Sequence, residues 1–512
     1  MFKKKKKLSP IMTFILLTVV TIILSGLLHL FKVQAEYVTV NKATNGLLNN
    51  VVEVKNLFST SGIKYIVTHA VSNFVGFTPL SILIIVLIGI GVLEKTGFLK
   101  TFFTLITKNS KKNTLTFLLV FVSLIFSLVG DIGFVIMLPI GALLFKYGRR
   151  NPFGGIIASF AALSFGSGIN IFLNANDSSL LTLTLNAAKV IDNSYTIGIF
   201  FSLFIMIVLL VITSFVFTWI TEKKIMPRLP RIDHEEDEEV VITNKELRGL
   251  IIGIAAGIIY VLLITYQIIP GLPLSGALLD HGADKYIDML FGAKSLFNQG
   301  FIFIVTLLFA IIGFGYGFMT KTLKSSKDVV DSLGYSLDGI GNILVLLFFA
   351  SLFISVFSES GIGEVITAGI SGIVGNIKFT GIGLILVVIL FITFANLVCP
   401  SSVTKWNILS GSVVPLMMNA SISPELAQIV YSSADMITQG ITPIFSFFVI
   451  YIAFLEKYNS EKDEMVTVGK GISYMLPYSL YIAIILCLVI VGWYMIGLPI
   501  GIGSYPGVMY GA

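Results

Sequence analysis

Charge is what this 512-residue chain lacks most. Only 12% of its residues are Asp, Glu, Lys or Arg, against about 25% in soluble globular proteins. That scarcity excludes a soluble enzyme and an intrinsically disordered chain. Cysteine is nearly absent too: Cys399 and Cys487 are the only two. With no CxxC and four scattered histidines (His29, His69, His234, His281), a disulfide scaffold, a zinc site and a redox site are excluded. No HExxH, GxSxG or Walker A pattern occurs, so hydrolytic chemistry and ATP-driven pumping have no seat. Apolar residues make up 55% of the chain, and mean hydropathy is +0.94. This is the composition of an all-α polytopic membrane protein, and a net charge of +6 is then a matter of topology rather than of nucleic acid.

Apolar runs of spanning length lie near Ile11–Phe31, Val75–Leu93, Phe153–Leu173, Gly198–Ile220, Leu250–Ile268, Phe301–Met319, Ile343–Phe357, Leu426–Leu455 and Leu476–Leu498. A span needs about 20 residues. The first run follows the basic Lys3–Lys7 and precedes Val33-Gln34-Ala35, which loosely resembles a signal-peptidase site. It is too long for a signal core and reads as an uncleaved helix.

Alternating these nine runs from a cytoplasmic N-terminus places 25 of the 34 Lys and Arg inside, as the positive-inside rule requires. The C-terminus then lies outside. Two longer runs, Thr114–Tyr147 and Thr380–Met418, each have both ends on one side. Each is interrupted at its centre, by Gly130-Asp131-Ile132-Gly133 and by Asn396 through Pro400-Ser401-Ser402 to Thr404. Polar, glycine-containing backbone at membrane depth is tolerated only inside protein or along a cavity. Both runs are therefore expected to be re-entrant hairpins, one from each side.

The halves echo one another. Asn151-Pro152 and Gly168-Ile169 recur as Ser423-Pro424 and Gly440-Ile441 at an offset of 272. The expected organisation is a first half (1–231), a cytoplasmic acidic linker (232–247) and a second half (248–512), related as an inverted repeat. Inverted repeats with broken helices and a midplane site mark secondary transporters.

Carboxylates inside apolar runs are functional candidates, since each costs about 2.5–3.5 kcal/mol to insert. Asp131, Asp177 and Asp435 qualify. Asn170 and Asn396 sit at breaks, where amide oxygens and freed carbonyls suit Na⁺, whereas the carboxylates suit a proton. Both coupling ions stay open; Na⁺ is the one metal ion this reading admits, and no cofactor is called for. Trp406, just past the second hairpin tip, fits either an aromatic cargo or ordinary packing.

Several blocks resemble the AbgT family of p-aminobenzoyl-glutamate transporters, within the ion transporter superfamily. They are Gly91-Val92-Leu93-Glu94-Lys95-Thr96-Gly97, Gly130-Asp131-Ile132-Gly133-Phe134, Ala395-Asn396-Leu397, Lys405-Trp406-Asn407-Ile408-Leu409, Ile422-Ser423-Pro424-Glu425-Leu426, and Asp435 followed by Ile441-Thr442-Pro443. The resemblance implies nine transmembrane helices, two opposed hairpins and a homodimer in the bacterial inner membrane. It also implies a cation-coupled carrier of p-aminobenzoyl-glutamate, a related aromatic carboxylate, or a sulfonamide-like drug in efflux. Asn396, Trp406, Pro424, Asp435 and Asp177 match its substrate pathway, with Ser401 and Ser432 beside them. Ser432 stands where the family typically has Arg, and Cys399-Pro400-Ser401-Ser402 departs from its Gly/Ser-rich tip. A carrier of another small carboxylate or amino acid is the alternative, and a channel a more distant one.

Overall fold

The computed structural model describes residues 8–41, 46–108, 110–171, 174–230, 242–459 and 465–508. The basic Lys3–Lys7 and most of the acidic linker lie outside these residues. Among the described residues, nine helices are long and apolar enough to cross a membrane. Seven of these nine helices fall on the runs drawn from hydropathy, and two do not. Lys112–Val129 and Gly381–Val398, the first arms of the two hairpins, are those two. The run at Phe153–Leu173 instead holds one helix that breaks at Gly166, and the run at Leu426–Leu455 is split into two helices. Hydropathy alone does not show these breaks, because Gly, Ile, Phe and Ser keep the window apolar; in the first half the polar Asn170 and Asn174–Asp177 mark one.

In the first half, Pro152–Phe165 ends at Gly166, and a second helix, Ala175–Ala188, begins after Asn174. In the second half, Pro424–Gln439 ends at Gly440, and Ser446–Lys457 follows. Both first pieces start alike. Proline sits at the helix start, where its missing N–H costs nothing. Asn151 and Ser423 cap them, accepting from Phe153 N at 2.9 Å and Leu426 N at 3.2 Å.

The hairpins turn by different means. Hairpin one runs Lys112–Phe126, a short 3₁₀ turn at Ser127–Val129, then Asp131–Tyr147. Its reversal depends on Gly130, at φ 64° and ψ −135°, a conformation open to glycine. Hairpin two runs Gly381–Val398 and Ser402–Asn419. Here Pro400 stops the helix, and Cys399 before it leaves the helical region at φ −133° and ψ 79°, since proline disfavours that region for the residue it follows.

The all-helical expectation needs one amendment. Gln34–Val40 and Leu47–Glu53 form an antiparallel strand pair, Gln34 opposite Glu53. It lies against hairpin two: a Cβ on Gly411 would meet Val38 O at 2.2 Å, so only glycine admits the strand there. A salt bridge of 2.8 Å from Lys55 to Glu359 ties the segment after it to the end of helix Gly341–Ser360.

Residues 272 apart meet where the split helices end. Ser167 Oγ donates to Gln439 Oε1 at 2.7 Å, and these two positions are themselves 272 apart. Gly168 approaches Ser432 O and Met436, while Gly440, 272 further on, approaches Ser164, the counterpart of Met436. Contacts between equivalent positions are what a two-fold relation produces on its own axis.

Candidate functional site

One cavity of about 920 Å³ receives both hairpin tips and both helix breaks. Its wall includes Gly130 and Asp131, Cys399 through Ser402, Ser167, Gly168, Asn174–Asp177, Gln439 and Ile444–Phe447. Phe291, Phe297, Phe301 and Phe357 supply an apolar side. Concave, largely apolar sites with a few convergent polar groups are what solutes of several hundred Å³ occupy.

Asp131, Asp177, Glu364 and Asp435 all line this cavity, and among the described residues no Lys, Arg or His does. Four of the helices that begin on the wall start at Asp131, Ala175, Ser402 and Ser446. Each N-terminus carries partial positive charge from its aligned peptide dipoles. Asp131 occupies the first position of its own helix. Asn174 and Asp177 form a reciprocal cap, with Asp177 N to Asn174 Oδ1 at 2.8 Å and Asn174 N to Asp177 Oδ2 at 3.2 Å. Ser401 caps the third helix, accepting from Thr404 N at 3.4 Å. The helix at Ser446 has no side-chain cap.

At hairpin one, Ser127 Oγ lies 2.6 Å from Leu124 O and 3.2 Å from both Gly166 O and Asn170 Oδ1. Asn170 Nδ2 donates to Asp177 Oδ2 at 2.9 Å. Hairpin tip and helix break are thus joined through one amide. A small polar pocket of about 20 Å³ beside Asn170 and Asp177 reaches Gln428 and Ser432.

At hairpin two the joint is tighter. Asn396 is fully buried; its Nδ2 donates to Asp435 O and, at 3.2 Å, to Thr438 Oγ1. Ser402 Oγ donates to Asp435 Oδ2, and Tyr431 OH donates to Ser402 O. Lys405, 0% exposed, pairs with Asp435 Oδ1 and donates to Asn396 Oδ1 at 2.6 Å and Cys399 O at 2.9 Å.

Of the residues singled out in the sequence, Asp131, Asp177, Asp435, Ser401 and Ser432 reach the cavity. Asn170 and Asn396 stand just behind it and hold the breaks. Trp406 does not reach it: fully buried, it stacks on Tyr431 at 4.2 Å and donates to Thr184 Oγ1 at 2.9 Å. Pro424 is further off, at the opposite end of its helix from Asp435, about 16 Å away at 1.5 Å per residue. The family resemblance puts both on the substrate path; in this conformation one is packing and the other a helix start.

Two residues escape a reading of the sequence. Glu364 carries no signal in the sequence, yet it lines the cavity. Lys405 is easily passed over, although a lysine near the start of a helix in an apolar run demands a buried counter-ion. That demand, set against the mid-span Asp435, is the signal that finds it.

A family model described as the AbgT putative transporter family matches residues 5–508. The p-aminobenzoyl-glutamate transport protein of Escherichia coli (strain K12) is 26% identical over 498 residues, 97% of this chain and 94% of that protein. The solved Alcanivorax borkumensis YdaH transporter is 26% identical, covering 96% of this chain and 100% of its own, with a TM-score of 0.49. Neisseria gonorrhoeae MtrF, placed in a class of antimetabolite efflux pumps, is 29% identical and covers 98% of each chain, also with a TM-score of 0.49.

Proposed function

This chain belongs to the AbgT transporter family, and from that premise we propose that it is a cation-coupled carrier of p-aminobenzoyl-glutamate or a related aromatic carboxylate. Membership makes it a multi-pass membrane transporter and not an enzyme. The observation that carries the finer reading is the shared cavity, where two hairpin tips and two broken helices meet at one place. A carrier needs a site that either side can expose in turn, and a pair of related halves closing on one cavity provides it.

The cavity suits both ends of such a cargo. The phenylalanine side takes an aromatic ring. The uncapped helix start at Ser446 offers free N–H groups to a carboxylate. Coupling follows from charge: a cargo carboxylate entering among four acidic side chains needs a positive partner, Na⁺ or H⁺, at Asp131, Asp177 or Asp435. In this reading the carrier is a homodimer in the bacterial inner membrane, with its N-terminus cytoplasmic, its C-terminus outside and the acidic linker joining its two halves. The distribution of basic residues supports that orientation.

The absence of any basic residue on the described cavity wall favours a second reading, efflux of an uncharged, sulfonamide-like aromatic. One experiment separates the two. Purified protein in proteoliposomes is offered labelled p-aminobenzoyl-glutamate under Na⁺ and pH gradients imposed separately. Gradient-driven flux is expected; no flux in either direction under any gradient rejects the first reading, and flux of a sulfonamide alone establishes the second.

A further inference from the structure

Hairpin two assembles an oxygen cluster of the kind that binds Na⁺. It consists of the side-chain amide oxygen of Asn396, the freed backbone carbonyl of Cys399 at the break, and the carboxylate Oδ1 of Asp435. Unwound carbonyls and neutral oxygens beside a carboxylate are the usual ligands of Na⁺ in broken-helix transporters. At this point of convergence the structure has an ammonium group. The three N–H donors of Lys405 are matched one to one by the three oxygens, leaving none over. Lys405 is entirely buried. It is not part of the cavity wall, whereas Asp435, Cys399 and Ser402 are. Its charge stands behind Asp435, on the side away from the cargo.

We propose that Lys405 is a tethered cation: its ammonium takes the position at hairpin two that a mobile Na⁺ would otherwise fill. Asp435 is then neutralised from within the protein, and hairpin two does not load Na⁺. The mobile coupling ion is left to the other face of the cavity, where Asp131 and Asp177 have no basic partner among the described residues. This deepens the transporter reading and rests on it for its consequence, but its test needs no transport.

Full-length protein in detergent is melted in NaCl and in choline chloride at equal ionic strength. Lys405→Met should show a Na⁺-specific rise in melting temperature larger than that of the unaltered protein. That excess should vanish in Lys405→Met/Asp435→Asn. Lys405→Arg, which keeps the cation, should show no excess. A lysine serving only as a brace would lower stability on removal without creating a response to Na⁺, so a folded Lys405→Met with no excess overturns the proposal. An excess that survives Asp435→Asn overturns it as well. Where the lysine variants fail to fold, Asp435→Asn alone decides. Equilibrium binding of radiolabelled Na⁺ should be the same in it as in the unaltered protein, and a loss of binding would show that Asp435 holds Na⁺ with Lys405 in place. Absence of p-aminobenzoyl-glutamate flux would reject the cargo reading and leave these Na⁺ results standing.

Discussion

The two hairpins are braced at opposite ends. Hairpin one is tied at its base: buried Arg150 pairs with Glu222 at 2.6 Å, donates to Thr116 Oγ1 at 2.6 Å and Lys112 O at 3.1 Å, and lies 4.2 Å from the ring centre of Phe145. Its tip, at Asp131, has no ion pair among the described residues. Hairpin two is tied at its tip, through Lys405, Asp435, Asn396 and Tyr431. Aligning the two return helices at their first residues, Asp131 and Ser402, puts Phe134 of hairpin one where hairpin two has Lys405. A repeat can thus keep its backbone plan while its charges move. One tip is held by an internal cation, and the other presents a bare carboxylate to the cavity.

The largest effect should come from the braced tip. Removing one partner of a buried ion pair costs about 3–5 kcal/mol, because the other charge stays buried and uncompensated. Lys405→Met should therefore lower the melting temperature sharply in the absence of Na⁺. The Lys405→Met/Asp435→Asn double variant should recover much of that loss, since it leaves no charge unpaired. Their coupling energy, read from a double-mutant cycle, measures the brace. Losses that simply add would mean that the two groups are not coupled, and the contrast between the tips would fall.

A smaller effect sharpens the contrast functionally. Asp131→Asn removes a carboxylate with no partner to orphan, so expression and melting should hold while transport drops roughly tenfold, about 1.4 kcal/mol of lost transition-state stabilisation. Asp435→Asn should lower transport and melting together. Equal destabilisation by the two substitutions would show that Asp131 is as firmly held as Asp435.

Much of this arrangement is legible in the order of the residues. Apolar runs and basic residues place both hairpins, and the offset of 272 anticipates the meeting of Ser167 with Gln439. What stays hidden depends on the third dimension. The break at Gly166 leaves hydropathy unchanged. The strand pair at Gln34–Glu53 mixes polar and apolar residues too irregularly to stand out beside long helices. Lys405 and Asp435 are thirty positions apart, and only the fold of hairpin two against helix Pro424–Gln439 brings them together. Trp406, which the sequence leaves open between a cargo contact and packing, has its ring on Tyr431 and its N–H on Thr184 in the fold.

The smallest effects concern the turns of the two hairpins. Gly130 has φ 64°, and a Cβ placed there would meet nothing within 4 Å. The cost of Gly130→Ala is therefore purely conformational, about 1–3 kcal/mol for a side chain held in so sparsely populated a backbone region. No ion pair at the tip amplifies it, since Asp131 next door has none among the described residues. Hairpin two makes its reversal with Pro400 and no positive φ at Cys399. Pro400→Ala releases a stiff link that Lys405 still holds from behind, so its melting change should be smaller again. Thermal melts of the two variants under identical conditions test this order. A larger loss from Pro400→Ala would mean that the proline, rather than the ion pair behind it, is what keeps the second tip in place.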